Sequence, residues 1–467
     1  MNTKMLIDGK LVKGAGTLDI VNPASGRPFI QAERADEAQL QQAVAAAKAA
    51  FPHWSGLSFE ERGEYLLRLA DGLQEMQDEL ARIVTREQGK PLQQAYAEVM
   101  GGIYQLRHYA AQRIEPTVIR ENEGSRIIEH RTALGVVAAV TPWNFPFLLV
   151  TQKIGPALIA GNTVVAKPAP TTPLSALAIA GVAADVFPAG VLNVIVDEND
   201  LGSALTGHAD VAKVSFTGST GTGRKVSAAG ASTLKRLTLE LGGNDAAIVL
   251  DDVSPAEIAP RLFGGAMVNA GQVCLAIKRV YAPSAIYDEL CDELAKLARE
   301  AVVDDGDKQG TQIGPLQNRM QFDKVLGYLE DARANGSVIA GGEALDRDGY
   351  FIAPTIVRDI ADDAALVREE QFGPILPVLK YDDIDDAIAR ANDSDFGLGG
   401  TVWGKDIDRA AKVAMKVDSG TVWVNKHLDI SFDIPFGGAK QSGIGREGGE
   451  EGLHAFTQAH IVNIALT

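Results

Sequence analysis

The chain has 467 residues, 46% apolar and 22% charged, which is the composition of a globular protein large enough for two or three domains. Lys plus Arg number 44 and Asp plus Glu 61, a net charge of 44 − 61 = −17 that argues against nucleic acid or an anionic membrane surface as a partner. The start MNTKMLIDGKLVKG does not read as a signal peptide, no apolar run reaches the roughly 20 residues of a membrane helix, and two cysteines make neither a disulfide framework nor a zinc site, so a cytoplasmic setting is expected.

Residues 37–115 predict helices, one of them opened by a capping box of Ser58 and Glu61 ahead of FEERGEYLLRLADGLQEM. Residues 116–133 alternate polar and apolar, as an edge strand or hairpin does. From Gly135 the pattern changes to short β-branched runs, GVVAAVTPW, NTVVAKP, LNVIVD and VAKVSFTGS, with helical segments such as PLSALAIAGVAADVF between them. After Glu240 a second series follows: GNDAAIVLDD, a helix, KRVYAPS, a long helix, FIAPTIV, ILPVLKY, GGTVWG and GTVWVN. The helix after GNDAAIVLDD is expected to start at Ser254 with a capping box closed by Glu257 and to stop at Gly271. That stop places Cys274 on a loop, whereas Cys291 falls in the amphipathic helix YDELCDELAKLARE and reads as core. Strand and helix alternating in two series predict an α/β fold of two doubly wound, Rossmann-like domains plus a small β element for oligomerisation. The expected division is 1–115 with 134–241, then 242–441, with 116–133 and 442–467 as the oligomerisation segments.

Several residues carry chemical potential, each beside a plain structural reading. Gly218, Gly221 and Gly223 in FTGSTGTGRKV lie between a strand and a helix, where backbone N–H groups approach a phosphate, and Ser219 adds a hydroxyl. The spacing is neither the dinucleotide fingerprint nor a P-loop, since Arg224 and Lys225 follow Gly223, and a plain tight turn fits equally well. Glu240 ends the apolar run TLEL, where burial raises a carboxyl toward the range of a general base; a strand-end ion pair is the alternative. Asn144 in TPWNFPF is an amide held in an apolar wall, as an oxyanion donor or in an Asx turn. Lys167 ends a strand, where doubly wound sheets bind ligands.

Taken in order, TPWNFP, GNTVVAKP, FTGSTGTG, LELGG, GQVC, EEQFGP and PFGG-KQSG-GRE closely resemble the aldehyde dehydrogenase superfamily, from about residue 5 to the C-terminus. The resemblance implies NAD(P)-dependent, non-acylating oxidation of an aldehyde. Cys274 attacks the carbonyl, hydride leaves for the nicotinamide, and water activated by Glu240 releases the acid from the thioester. It further implies that Asn144 and the Cys274 N–H stabilise the oxyanion. Trp143, Lys167, Gly218, Ser219, Glu370 and Phe372 would contact NAD or NADP. The partners it implies are a small-molecule aldehyde and further copies of the chain in a homodimer or homotetramer.

Two positions depart from the family pattern. Pro170 stands where many NAD-preferring members carry a glutamate, so a 2′-phosphate meets no carboxylate there; NAD remains slightly favoured. Gln152 stands where succinate-semialdehyde dehydrogenases carry an arginine. With Phe145, Leu148, Val273, Leu275 and Ile430 as the other expected tunnel residues, this favours a medium-chain or aromatic aldehyde. A CoA-acylating semialdehyde dehydrogenase conflicts with Glu240. A phosphotransferase leaves Cys274 unexplained. A non-enzymatic scaffold has no need of Cys274, Glu240 and Asn144 together.

Overall fold

The computed structural model describes residues 1–466. Four helices, Glu37–Ser55, Phe59–Glu75, Gln77–Gln88 and Leu92–Ala110, follow an N-terminal set of short strands. The capping box at the second is present: the Glu61 N–H donates to Ser58 Oγ and the Ser58 N–H to Glu61 Oε2.

Five β-branched runs pair in parallel in the order Leu192–Val194, Thr163–Lys167, Val136–Val140, Val211–Thr217, Arg236–Glu240. Val136–Val140 and Thr163–Lys167 are buried along their whole length, as strands covered by helices on both faces must be. Strand order runs outward in both directions from Val136–Val140, so a crevice opens beyond the carboxyl ends at the point of reversal. Trp143, Asn144, Lys167, Gly218 and Glu240 all lie at those ends. A second, seven-stranded sheet holds Asp245–Val249, Ile277–Pro283, Ile375–Tyr381 and Gly399–Trp403 in parallel around its own buried core, which includes Ile248, Val280 and Leu376.

The third sheet is antiparallel: Thr117–Glu121 and Ser125–Ala133 form a hairpin, and Thr457–Ala465 pairs with the latter over nine residues, from Thr457 opposite Ala133 to Ala465 opposite Ser125. The expected boundary at residue 442 is crossed, because Gly443–Ile444 pairs antiparallel with Arg236–Glu240 and so belongs to the first sheet. The helix before Cys274 also differs from expectation. It runs Pro255–Met267, Ser254 makes no side-chain cap bond, and the chain leaves the helix before Gly271 through a tight turn, Val268–Gly271. The backbone N–H of Glu257 goes instead to the Ser254 carbonyl, so the first turn closes without the side chain.

Candidate active site

Cys274 is delivered by a run of three left-handed residues, Asn269 (φ 51°), Ala270 (φ 54°) and Gly271 (φ 72°). Such a run in non-glycine residues costs on the order of 1–3 kcal/mol per residue and persists only where its surroundings fix it. Those surroundings are visible. Asn269 Nδ2 donates to the Asn144 carbonyl at 3.0 Å, its N–H donates to Gln94 Oε1 at 3.0 Å, and Gln272 Oε1 accepts the Gln317 N–H at 2.9 Å. Gly271 itself has no room for a side chain, since a Cβ there would stand 2.2 Å from the Gly373 carbonyl oxygen. Cys274 then lies on a loop, half-buried, with its thiol pushed up to about 12 by burial, an effect that Lys278 opposes.

Asn144 is buried in the loop after Val136–Val140. Its Nδ2 donates to the Gln272 carbonyl at 3.0 Å, which fixes the amide beside the cysteine loop and leaves one amide proton uncommitted. Its carbonyl accepts from Lys90 Nζ at 2.8 Å, and Lys90 is paired with Glu98 at 2.5 Å, both fully buried. The other Glu98 oxygen accepts the Phe147 N–H at 2.9 Å, so one ion pair grips this loop at two points. Lys90 Nζ also sits 3.7 Å from the centre of the Phe145 ring.

Glu240 is the last residue of its strand, buried, with no hydrogen-bond partner on either oxygen. Burial, then the charge of Glu447, pushes its carboxyl well above the ordinary carboxylate range, while Lys153 and Arg446 act the other way. Lys153 is bonded to Glu447 at 2.6 Å.

The two glycines of LELGG permit close approach. A Cβ on Gly243 would stand 2.5 Å from the Cys274 carbonyl, and one on Gly242 would stand 2.6 Å from Glu370 Oε2. Glu370 Oε1 accepts the Gly243 N–H at 2.9 Å. Phe372, left-handed at φ 50°, meets Trp143 edge-on at 5.4 Å. Sequence positions 143, 240–243, 274 and 370–372 are thereby drawn into one neighbourhood.

The glycine-rich turn opens the helix Thr220–Ala231, with Ser219 as its N-cap. Ser219 Oγ takes the Thr222 N–H, and Gly221 faces open space, so this helix start fits a phosphate. The Gly218 N–H is given to the Glu240 carbonyl at 3.0 Å, and a Cβ at this position would meet the Phe216 ring at 2.6 Å. Lys167 is bonded to Asp197 at 2.5 Å, and the second Asp197 oxygen accepts the Leu201 N–H.

Of the expected tunnel residues, Val273 and Leu275 are buried in a small apolar cluster with Ala276, Leu398 and Trp423; Phe145, Leu428 and Phe436 pack against it. Leu148 and Gln152 lie half-buried on the helix Leu148–Ile159. Ile430 is exposed and stands outside this cluster, whereas the left-handed Leu428 packs against it. Lys90, Glu98, Asn269, Lys153, Glu447 and Lys278 were not among the expected site residues. Their only local signal is a charge or amide inside a run otherwise fit for burial.

The aldehyde dehydrogenase family model matches residues 11–462. An aldehyde dehydrogenase of Agaricus bisporus is 38% identical, covering 100% of this chain and 95% of that protein. A mitochondrial aldehyde dehydrogenase of Leishmania tarentolae is 38% identical, covering 99% and 95%. Among solved structures, the NAD+ complex of an aldehyde dehydrogenase from Bacillus cereus superposes with a TM-score of 0.97 at 36% identity, covering 100% of this chain and 97% of that one.

Proposed function

The chain belongs to the aldehyde dehydrogenase family and is an oxidoreductase acting on aldehydes, and from that premise we propose a mechanism, a cofactor preference and a substrate class. Cys274 passes its proton to the Glu240 carboxylate, which later releases it to solvent, and attacks the aldehyde carbon as a thiolate. The uncommitted Asn144 amide proton and the Cys274 N–H receive the oxyanion of the thiohemiacetal. A nicotinamide held beside Trp143, Glu370 and Phe372 would supply the hydride acceptor for that carbon. The thioester left on Cys274 is then hydrolysed: Glu240 takes a proton from water, the hydroxide adds to the acyl carbon, and the C–S bond breaks to release the carboxylic acid. The observation that carries the reading is Glu240, a buried carboxyl without a partner, on the strand leading into the glycines against which the Cys274 loop packs. Its raised proton affinity makes it a stronger base than an ordinary carboxylate.

Cofactor preference follows from Lys167. The cation that would meet a 2′-phosphate is already neutralised by Asp197 at 2.5 Å. A phosphate there would face the Asp197 charge, so NAD is favoured over NADP although Pro170 repels neither. The helix start at Ser219, the Trp143–Phe372 pair and Glu370 would hold the rest of the dinucleotide. The first sheet with its helices would form the cofactor-binding unit and the second the cysteine-bearing unit. Two unpaired thiols fit a cytoplasmic setting.

The substrate is an apolar aldehyde of medium chain or with an aromatic ring. Val273, Leu275, Leu398, Trp423, Phe145 and Leu428 supply apolar surface around the nucleophile, and Gln152 offers no cation for a second carboxylate. The test is NADH formation from a panel of aldehydes with each cofactor, repeated with Cys274→Ala. Turnover lost in the variant, with aromatic and medium-chain aldehydes ahead, supports the reading. Turnover retained by Cys274→Ala overturns the mechanism, and a tenfold lead for carboxylated semialdehydes, on the order of the 1.4 kcal/mol that one ion pair can supply, overturns the substrate class.

A further inference from the structure

We propose that Lys278 is a positioning residue for the nucleophile, tying down the Val273–Ala276 turn and setting a cation against Cys274; the proposal rests on the reading of Cys274 as the attacking thiol. Lys278 is the second residue of the strand Ile277–Pro283 and is 1% exposed. Its Nζ donates to the carbonyls of Cys274 at 2.6 Å, Val273 at 2.9 Å and Ala276 at 3.4 Å. An ammonium has three protons, and all three are directed to one turn. The turn that carries the nucleophile is therefore held by Lys278, and Gln272, the residue just before the turn, by Asn144.

Hydrogen bonding alone does not account for a lysine. A neutral amide could serve two of these carbonyls without the cost of burying a charge. The Lys278 ammonium has no carboxylate in hydrogen-bond range, since its nearest, Glu370 Oε1, lies 3.8 Å away. What remains is the charge itself and what it faces. Around Cys274, Glu370, Asp245 and Glu240 are the carboxylates and Lys278 is the cation. Burial and all three carboxylates disfavour a thiolate; Lys278 opposes them. Asp245, buried beneath the turn and pushed up to about 7, answers to the same lysine. His427, whose ring bonds the Leu275 carbonyl, is pushed down to about 4 by burial, so it brings no competing cation at neutral pH.

The consequence is measurable without turnover. An opposite charge that acts on an acid as Lys278 acts on Cys274 is worth about 1 to 3 units in its titration, so removing it slows thiol reactions at neutral pH by about tenfold or more. Alkylation of Cys274 by iodoacetamide is followed against pH, with no aldehyde or cofactor, by peptide mass so that Cys291 is counted apart. Lys278→Met and Lys278→Gln are expected to slow alkylation about tenfold or more at each pH between about 7 and 9, while Lys278→Arg, which keeps the charge, stays within about twofold. Lys278→Gln retains amide donors for the turn and decides the matter if Lys278→Met does not fold, with thermal melting as the check. A folded Lys278→Gln whose profile coincides with the unsubstituted protein overturns the proposal. Aldehyde turnover by Cys274→Ala would instead sink the reading it rests on, so the two failures are separate results.

Discussion

Cys274 and Glu240 face the same obstacle: the site that brings them together penalises the charge each must carry. Burial pushes the thiol up to about 12 and the carboxyl well above its ordinary range. Because both are raised, their proton affinities lie closer together than those of a buried thiol and an ordinary carboxyl, which eases passing a proton from one to the other. The stability cost of Glu240 has a definite sign. Its folded-state proton affinity exceeds that of an unfolded glutamate, so its contribution is fully present below the unfolded value of about 4.3 and is lost as pH rises through the higher folded value. Glu240→Gln does not titrate and should melt higher than the unsubstituted protein at about pH 8, with the difference shrinking toward about pH 5. Equal melting temperatures at both pH values would contradict a buried, unpartnered carboxyl.

Element-scale features divide by the range of the interactions that make them. The Ser58–Glu61 box spans three residues and was legible in the sequence; Ser58→Ala should cost about 1 kcal/mol, read as a lower denaturant midpoint with kcat unchanged, and an unmoved midpoint would contradict it. The buried parallel strands were equally legible, because full burial writes β-branched runs into GVVAAV and NTVVAK. Ser254 shows where local reading stops: the cap residue and its Glu257 partner are present at the right spacing, yet the side-chain bond does not form. The left-handed run at Asn269 and Ala270 had no local signal, since its cause is contacts with Asn144 and Gln94 more than a hundred residues away. Lys153 and Glu447, 294 positions apart, are of the same kind. The motifs that contain Cys274, Glu240 and Asn144 were legible in the sequence; the contacts that hold these residues in place were not.

At the scale of the whole molecule, the three-stranded sheet is the part with no evident purpose inside one chain. It leaves Val118, Ile119, Ile461 and Ile464 exposed, with Ile461 at 50%, on an antiparallel sheet whose outer strand Thr457–Ala465 has an open edge. Apolar edge strands of this kind are ordinarily covered, and a further copy of the chain is the proposed cover. Light scattering should give a dimer or tetramer that Ile461→Lys reduces in mass, whereas a monomeric unsubstituted protein would contradict the oligomer. The net charge of −17 opposes assembly at low salt, so the oligomer should strengthen as salt rises.

In the proposed mechanism Cys274 and Glu240 divide the reaction into acylation and hydrolysis. Rapid mixing of Glu240→Gln with saturating NAD+ and an apolar aldehyde tests that division directly. A burst of about one NADH per subunit is expected, followed by a steady rate reduced by about a hundredfold or more. A trace slowed throughout with no burst, or a steady rate equal to that of the unsubstituted enzyme, would contradict it.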